Sequence, residues 1–141
     1  MKKPLIPIDG SPAALRALAF ALNAMFGRSD AQVHVLNVQA PKLHPWPGKL
    51  ISPDMINADL RSDGAKLLEP AQAMALSAGM ACVPQVSNGA AGEEIAACAA
   101  KHGCDVIVMG TRGMDAVARL MMGSVAQKVV HLSPVAATLV K

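Results

Sequence analysis

Gly110, Gly113, Gly123 and Ser124, in the stretch GTRGMDAVARLMMGS, form the pattern with the most chemical content in this chain. Glycine is used where a side chain would obstruct the backbone or where φ must be positive. A serine directly after the last glycine adds a hydroxyl where a helix can begin. Free N–H groups at a helix N-terminus attract anions, each favourable charge being worth roughly 0.3–1 kcal/mol. The pattern therefore suits a ligand that carries phosphates. Near the other end of the chain, the segment PIDGS supplies an acid, Asp9, followed by the turn-former Gly10.

Positioning these residues together requires a scaffold, and the hydrophobic pattern specifies one. PLIPI (4–8) reads as a first strand, ended by Asp9-Gly10. Ser11 can cap a helix whose first residue is Pro12, a proline-tolerant position. Leu15, Leu18, Leu22 and Met25 recur at helical spacing with Phe26 beside them, and Gly27 is the expected stop. AQVHVLNV (31–38) alternates as a second strand. Residues 39–54 hold four prolines and read as a long irregular loop, a lid or a contact surface.

A helix over 55–78 follows, bent by Pro70 and ended by Gly79, then a strand over 80–86 whose Pro84 suits a sheet edge. The segment 90–102 is an alanine-rich helix with acids first and Lys101-His102 last, and Gly103 closes it. DVIVM (105–109) is a strand covered on both faces. A last helix (124–132) and a last strand (135–140) complete the chain. The alternation predicts a single α/β domain over residues 1–141: a five-stranded parallel sheet, helices on both faces, in the doubly wound order 3-2-1-4-5. Ligands of such sheets bind at the carboxyl ends of the strands where the order reverses. Here that is between Asp9-Gly10 and Met109-Gly110.

Composition narrows the function classes. The chain has 141 residues, a net charge of +3 and only 2% aromatic residues, without a concentrated basic run, so nucleic acid is not an expected partner. No apolar window is long enough for a membrane span, and Asp9, Pro7, Pro12 and Arg16 interrupt the signal-like start. Three cysteines, Cys82, Cys98 and Cys104, with no Cys-x-x-Cys pair, suit reduced thiols in the cytoplasm, with Cys98 and Cys104 as small core residues. His34 reads as a core or interface residue; His44, His102 and His131 share no metal-ligand spacing. Arg112 and Arg119 are more simply solvated than phosphate-bound, and Met121 and Met122 read as core.

Competing phosphate motifs fail on particular residues. No lysine stands beside Ser124, as a Walker loop demands, and DGSPAAL has one glycine where a dinucleotide fingerprint needs three. The same segment lacks the serine-glycine-glycine loop of ATP pyrophosphatases. The KH loop of RNA binders joins two helices, whereas GTRG leaves a strand.

The spacing Gly-x2-Gly-x9-Gly-Ser resembles the nucleotide motif of the ATP-binding branch of the universal stress protein family. PIDGS, DVIVMGTRG and GSVAQKVVHLSPV are similar to that family as well, and the likeness extends over essentially the whole chain. The resemblance implies a nucleotide site made of Pro7, Ile8, Asp9, Val38, Met109, Gly110, Gly113, Gly123, Ser124 and Val125. Asp9 would lie beside ribose and phosphates, and Val38 would meet adenine through its backbone. Met109 and Gly110 would line the ribose, and Gly113, Gly123, Ser124 and Val125 would hold phosphates by backbone N–H groups, with the Ser124 hydroxyl as an extra donor. It also implies ATP, with magnesium as an option, a homodimer through the C-terminal strand, a protein partner and a role in stress survival. Ala136 and Ala137 depart from the family's last strand, which commonly carries a proline and larger aliphatics. The residues leave three readings open: an ATP-binding regulator, a nucleotide-free dimeric interaction module, and a slow magnesium-dependent ATPase using Asp9.

Overall fold

The computed structural model describes residues 1–41, 53–111 and 122–141. Strands and helices alternate along it: β1 (Pro4–Pro7), α1 (Pro12–Ala24), β2 (Gln32–Gln39), α2 (Pro53–Ser77), β3 (Ala81–Asn88), α3 (Ala91–Lys101), β4 (Val106–Gly110), α4 (Ser124–Leu132) and β5 (Ala136–Val140). The strands form one sheet in the order β3-β2-β1-β4-β5, with every pairing parallel, as expected.

Alternating side chains sort the core into two layers. Ile6, Ile8, Val33, Val35, Val106 and Val108 turn to one face, where α1 and α2 cover them. Leu5, Leu36, Ile107 and Met109 turn to the other, under α3 and α4. Alanines do much of the helical packing. Ala14, Ala17 and Ala21 of α1 are buried, so this helix lies close against the sheet without aromatic side chains. Each large aliphatic side chain fully buried this way contributes about 1.5–3 kcal/mol.

Local chemistry sets the ends of the elements. The Ser11 hydroxyl accepts from the Ala14 N–H at 3.2 Å and caps α1, with Pro12 at its first turn. That helix ends at Ala24 rather than running to Gly27, whose φ of +79° serves the following turn instead. Phe26 therefore falls beyond the last turn and is 85% exposed, off the apolar stripe where its spacing placed it. β3 reaches Asn88, two residues past the expected end, because its ladder with β2 continues to Gln39↔Asn88. Pro84 does lie on an edge strand, as its missing N–H demands. Pro70 occupies the exposed face of α2, where water can satisfy the carbonyl it frees. Most of the proline-rich 39–54 segment lies outside the described residues, and α2 already begins at Pro53.

The three cysteines are free, Cys104 buried and the other two half-buried. Burial raises all three thiol pKa values, that of Cys98 to about 11, and the Cys98 thiol donates to Gln85 Oε1 at 2.7 Å. Protonated thiols of this kind are poor nucleophiles.

His34 is 3% exposed on β2, with Nε2 3.0 Å from Gln32 Nε2, no partner on Nδ1 among the described residues, and the His102 ring 5.7 Å away. Burial, then the charges of Lys3 and His102, depress its pKa below the ordinary 6.5. Above that value the imidazole is neutral whether folded or not, and its full contribution to stability is present. As the pH falls below 6.5, the unfolded chain takes up a proton first and stability declines until the folded imidazole protonates too. The melting temperature should therefore fall between pH 8 and pH 5, and less steeply in His34→Leu than in the parent. Parallel slopes for the two proteins would show that His34 does not titrate on unfolding.

Candidate functional site

Strand order reverses between β1 and β4, and β1 stops first. Its register runs Pro4↔Val106 and Leu5↔Ile107 on the β4 side, and reaches Pro7↔Leu36 on the β2 side. Beyond that point β2 continues to Gln39, leaving a gap at the carboxyl end of the sheet. The Leu36 carbonyl accepts from Ile8 N–H at 2.8 Å, so this residue directs its backbone groups toward β1. Gln39 directs its own the other way, its carbonyl accepting from Gly89 N–H at 3.0 Å. Val38, two residues after Leu36, accordingly directs its N–H and C=O toward β1, where β1 has already ended.

The acid lies at the edge of this gap. Asp9 Oδ1 accepts from the Ser11 N–H at 2.9 Å, an Asx turn that leads into α1. Gly10 has φ +87°, and a Cβ there would stand 3.0 Å from Leu67 Cδ2 on α2. Asp9 is exposed, and among the described residues its second carboxylate oxygen has no protein partner. Asn37, which sequence reasoning passed over as an ordinary strand residue, is buried beside the turn and donates from Nδ2 to the Ile8 carbonyl at 2.7 Å.

On the opposite side, Gly110 ends β4. A Cβ at this position would lie 2.8 Å from Ala13 Cβ and 3.1 Å from the Ala13 carbonyl carbon. The glycine thus admits the first turn of α1 directly over the strand end. Thr111 then acts as a junction: its N–H donates to the Val140 carbonyl at 3.1 Å, and its own carbonyl accepts from Gly123 N–H at 2.7 Å. This second bond brings the start of α4 to the end of β4.

The Gly123 N–H expected on a phosphate is therefore donated to Thr111. The first helical bond, from Gln127 N–H to the Gly123 carbonyl at 3.0 Å, leaves Ser124, Val125 and Ala126 N–H without helical partners. No acid stands in the first turn of α4, whereas α3 carries Glu93 and Glu94 there. The α4 terminus keeps its partial positive charge for an anion. Gly123 itself has φ −59° and ψ 155°, so backbone strain does not require glycine at this position.

Pro7, Ile8, Asp9 and Val38 thus border the gap from one side, and Met109, Gly110, Gly123, Ser124 and Val125 from the other. Gly113, Arg112, Arg119 and Met121 lie outside the described residues. Among the described residues no group of three or more His, Cys, Asp or Glu side chains could hold a metal ion, and no helix is long and apolar enough to cross a membrane. Two contributors escaped the sequence reading besides Asn37. Thr111 acts through backbone alone, and Ala13 matters only as the small neighbour of Gly110. A polar residue inside the apolar run QVHVLNV was the one available signal for Asn37.

The fold defines a doubly wound α/β protein whose first strand stops short where the strand order reverses. Comparison with known proteins gives the family. The universal stress protein family matches residues 1–141. Universal stress protein MJ0531 of Methanocaldococcus jannaschii is 33% identical over 131 residues, covering 92% of this chain and 75% of the relative. The solved structure of hypothetical protein MJ0577 superposes with a TM-score of 0.82 at 24% identity, over 99% of this chain and 95% of the other. That of a universal stress protein family protein from Arabidopsis thaliana with AMP bound gives 0.71 at 20% identity, over 100% and 92%. The chain belongs to the universal stress protein family.

The two described glycines of the motif differ in what they tolerate. Gly110→Ala should destabilise the fold by about 1–3 kcal/mol, because the new methyl meets helix backbone rather than a movable side chain. Gly123→Ala at the start of α4 should cost under about 1 kcal/mol. Urea unfolding of both variants checks the contrast, and equal losses would contradict the packing account of Gly110.

Proposed function

We propose that this protein binds ATP in the crevice between β1 and β4 and acts as a stress-response regulator through its nucleotide-bound state. The observation that carries this reading is the set of backbone groups left open around one gap. Val38 offers a donor and an acceptor side by side, complementary to the ring nitrogen and amino group of adenine. The N–H groups of Ser124 and Val125, which lack helical partners, suit the phosphates together with the Ser124 hydroxyl, and the motif adds Gly113, which lies outside the described residues. Asp9, with one carboxylate oxygen uncommitted, stands where magnesium would bridge to them. Pro7, Ile8, Met109 and Gly110 line the space between for the ribose. The Arabidopsis relative with AMP bound supports a nucleotide of this class.

Purification without added nucleotide, heat denaturation and chromatography of the released small molecules tests the reading. Retained ATP is the expected result. ADP would point to slow magnesium-dependent turnover at Asp9, and an empty protein that also fails to bind ATP on titration would leave the dimeric interaction module. In calorimetry, Gly123→Val should weaken ATP at least about tenfold, near 1.4 kcal/mol, by crowding the phosphates. Asp9→Ala should lose more affinity with magnesium than without it. Unchanged affinity in a folded Gly123→Val protein would remove the phosphates from the α4 terminus.

The reading includes a homodimer. Among the described residues β5 pairs only with β4, and its outer edge presents the largely apolar sequence AATLV. Soluble proteins cover such edges, and a second copy of the same strand is a ready cover. The reading also includes a cytoplasmic location, which the three free thiols suit. Light scattering should give twice the monomer mass at micromolar concentration; a monomer mass throughout would exclude pairing through β5.

A further inference from the structure

Asn37 is 2% exposed in the middle of the sheet, and an unpaired amide at that depth would cost about 1–3 kcal/mol. It is not unpaired. Nδ2 donates to the Ile8 carbonyl at 2.7 Å, and Oδ1 accepts from Gln39 Nε2 at 2.6 Å. The Ile8 carbonyl can only accept, which fixes the orientation of the amide. Helix α2 closes over it: a Cβ on Gly64 would lie 3.0 Å from Asn37 Oδ1 and 2.5 Å from Val86 Cγ1.

The choice of acceptor is the informative point. In a parallel ladder, a residue that donates its N–H to one residue of the next strand accepts at its C=O from the residue two further on. Ile8 donates to Leu36, so its carbonyl is the regular partner of Val38 N–H. That bond is not made. The Asn37 side chain takes the Ile8 carbonyl, and β1 ends at Pro7.

We infer that Asn37 is a positioning residue for nucleotide: by occupying the Ile8 carbonyl it keeps the Val38 N–H out of the sheet and available to the base. The inference rests on the ATP reading above for its ligand, but the ladder exchange itself can be measured in ligand-free protein. Removing the amide frees the Ile8 carbonyl, and Val38 N–H closes the ladder. The donor needed by the base is then consumed within the protein. The phosphate groups at α4 are untouched.

Amide hydrogen exchange followed by NMR tests this in the full chain. In the parent without nucleotide, the Val38 amide should exchange at least about tenfold faster than the paired amides of Leu36 and Val35. In Asn37→Ala it should become as slow as those neighbours, with no ligand present. A protected Val38 amide in the ligand-free parent would overturn the inference whether or not the variant folds. So would a Val38 amide that stays fast in folded Asn37→Ala. In parallel, Asn37→Ala should bind ATP about tenfold more weakly than the parent while inorganic tripolyphosphate binding, which uses no base, stays within about twofold. Equal losses for the two ligands would mean that Asn37 supports the fold and not the base. A parent that shows the exposed Val38 amide yet binds no ATP would sink the ATP reading and leave the ladder exchange standing.

Discussion

The central strand is shorter than the strands it holds together. β1 spans four residues between neighbours that continue past it, by three residues on the β2 side. Buried backbone groups need partners, so an early stop in the middle of a sheet has to be compensated or left open to a ligand. Both happen here. The Ile8 carbonyl is satisfied by a side chain, Asn37, while the backbone of Val38 faces the gap.

The surroundings of the gap follow from keeping it open and ordered. The chain leaves β1 through a turn that Asp9 and the positive φ of Gly10 make tight enough for α1 to start at once. Helix α1 then lies over the end of β4, which is possible because Gly110 has no side chain to meet Ala13. Thr111 ties the same strand end to β5 and to the start of α4 through two backbone bonds. The acid turn, the strand ends and the uncapped helix terminus are thereby held against one another by short-range packing and main-chain hydrogen bonds.

Glycine appears around the crevice for different physical reasons. Gly10 supplies a backbone conformation that other residues rarely adopt. Gly110 and Gly64 supply room for a helix to approach a strand. Gly123 needs neither positive φ nor relief from strain. A motif read as a single ligand loop is, in three dimensions, partly a packing device.

Much of this protein was legible in its residues alone. The alternation of apolar runs with helical stripes specified the element order, because period two and period 3.6 bury different sets of side chains. Ser11-Pro12 announced the start of α1, and Pro84 announced an edge strand, because each acts through its own local chemistry. Asp9 and the glycine spacing directed attention to the carboxyl end of the sheet for the same reason, whereas Val38 entered only through the family resemblance. The end of α1 was harder to read, since Gly27 serves the turn rather than the helix and Phe26 lies past it. Thr111 and Ala13 were not legible at all, and Asn37 showed only as a polar residue within a strand. Their roles depend on which carbonyl lies across the gap, which strand ends first and which helix crosses above. Those relations join residues 12 to 97 positions apart or act through backbone that every residue shares, so only the folded sheet could decide them.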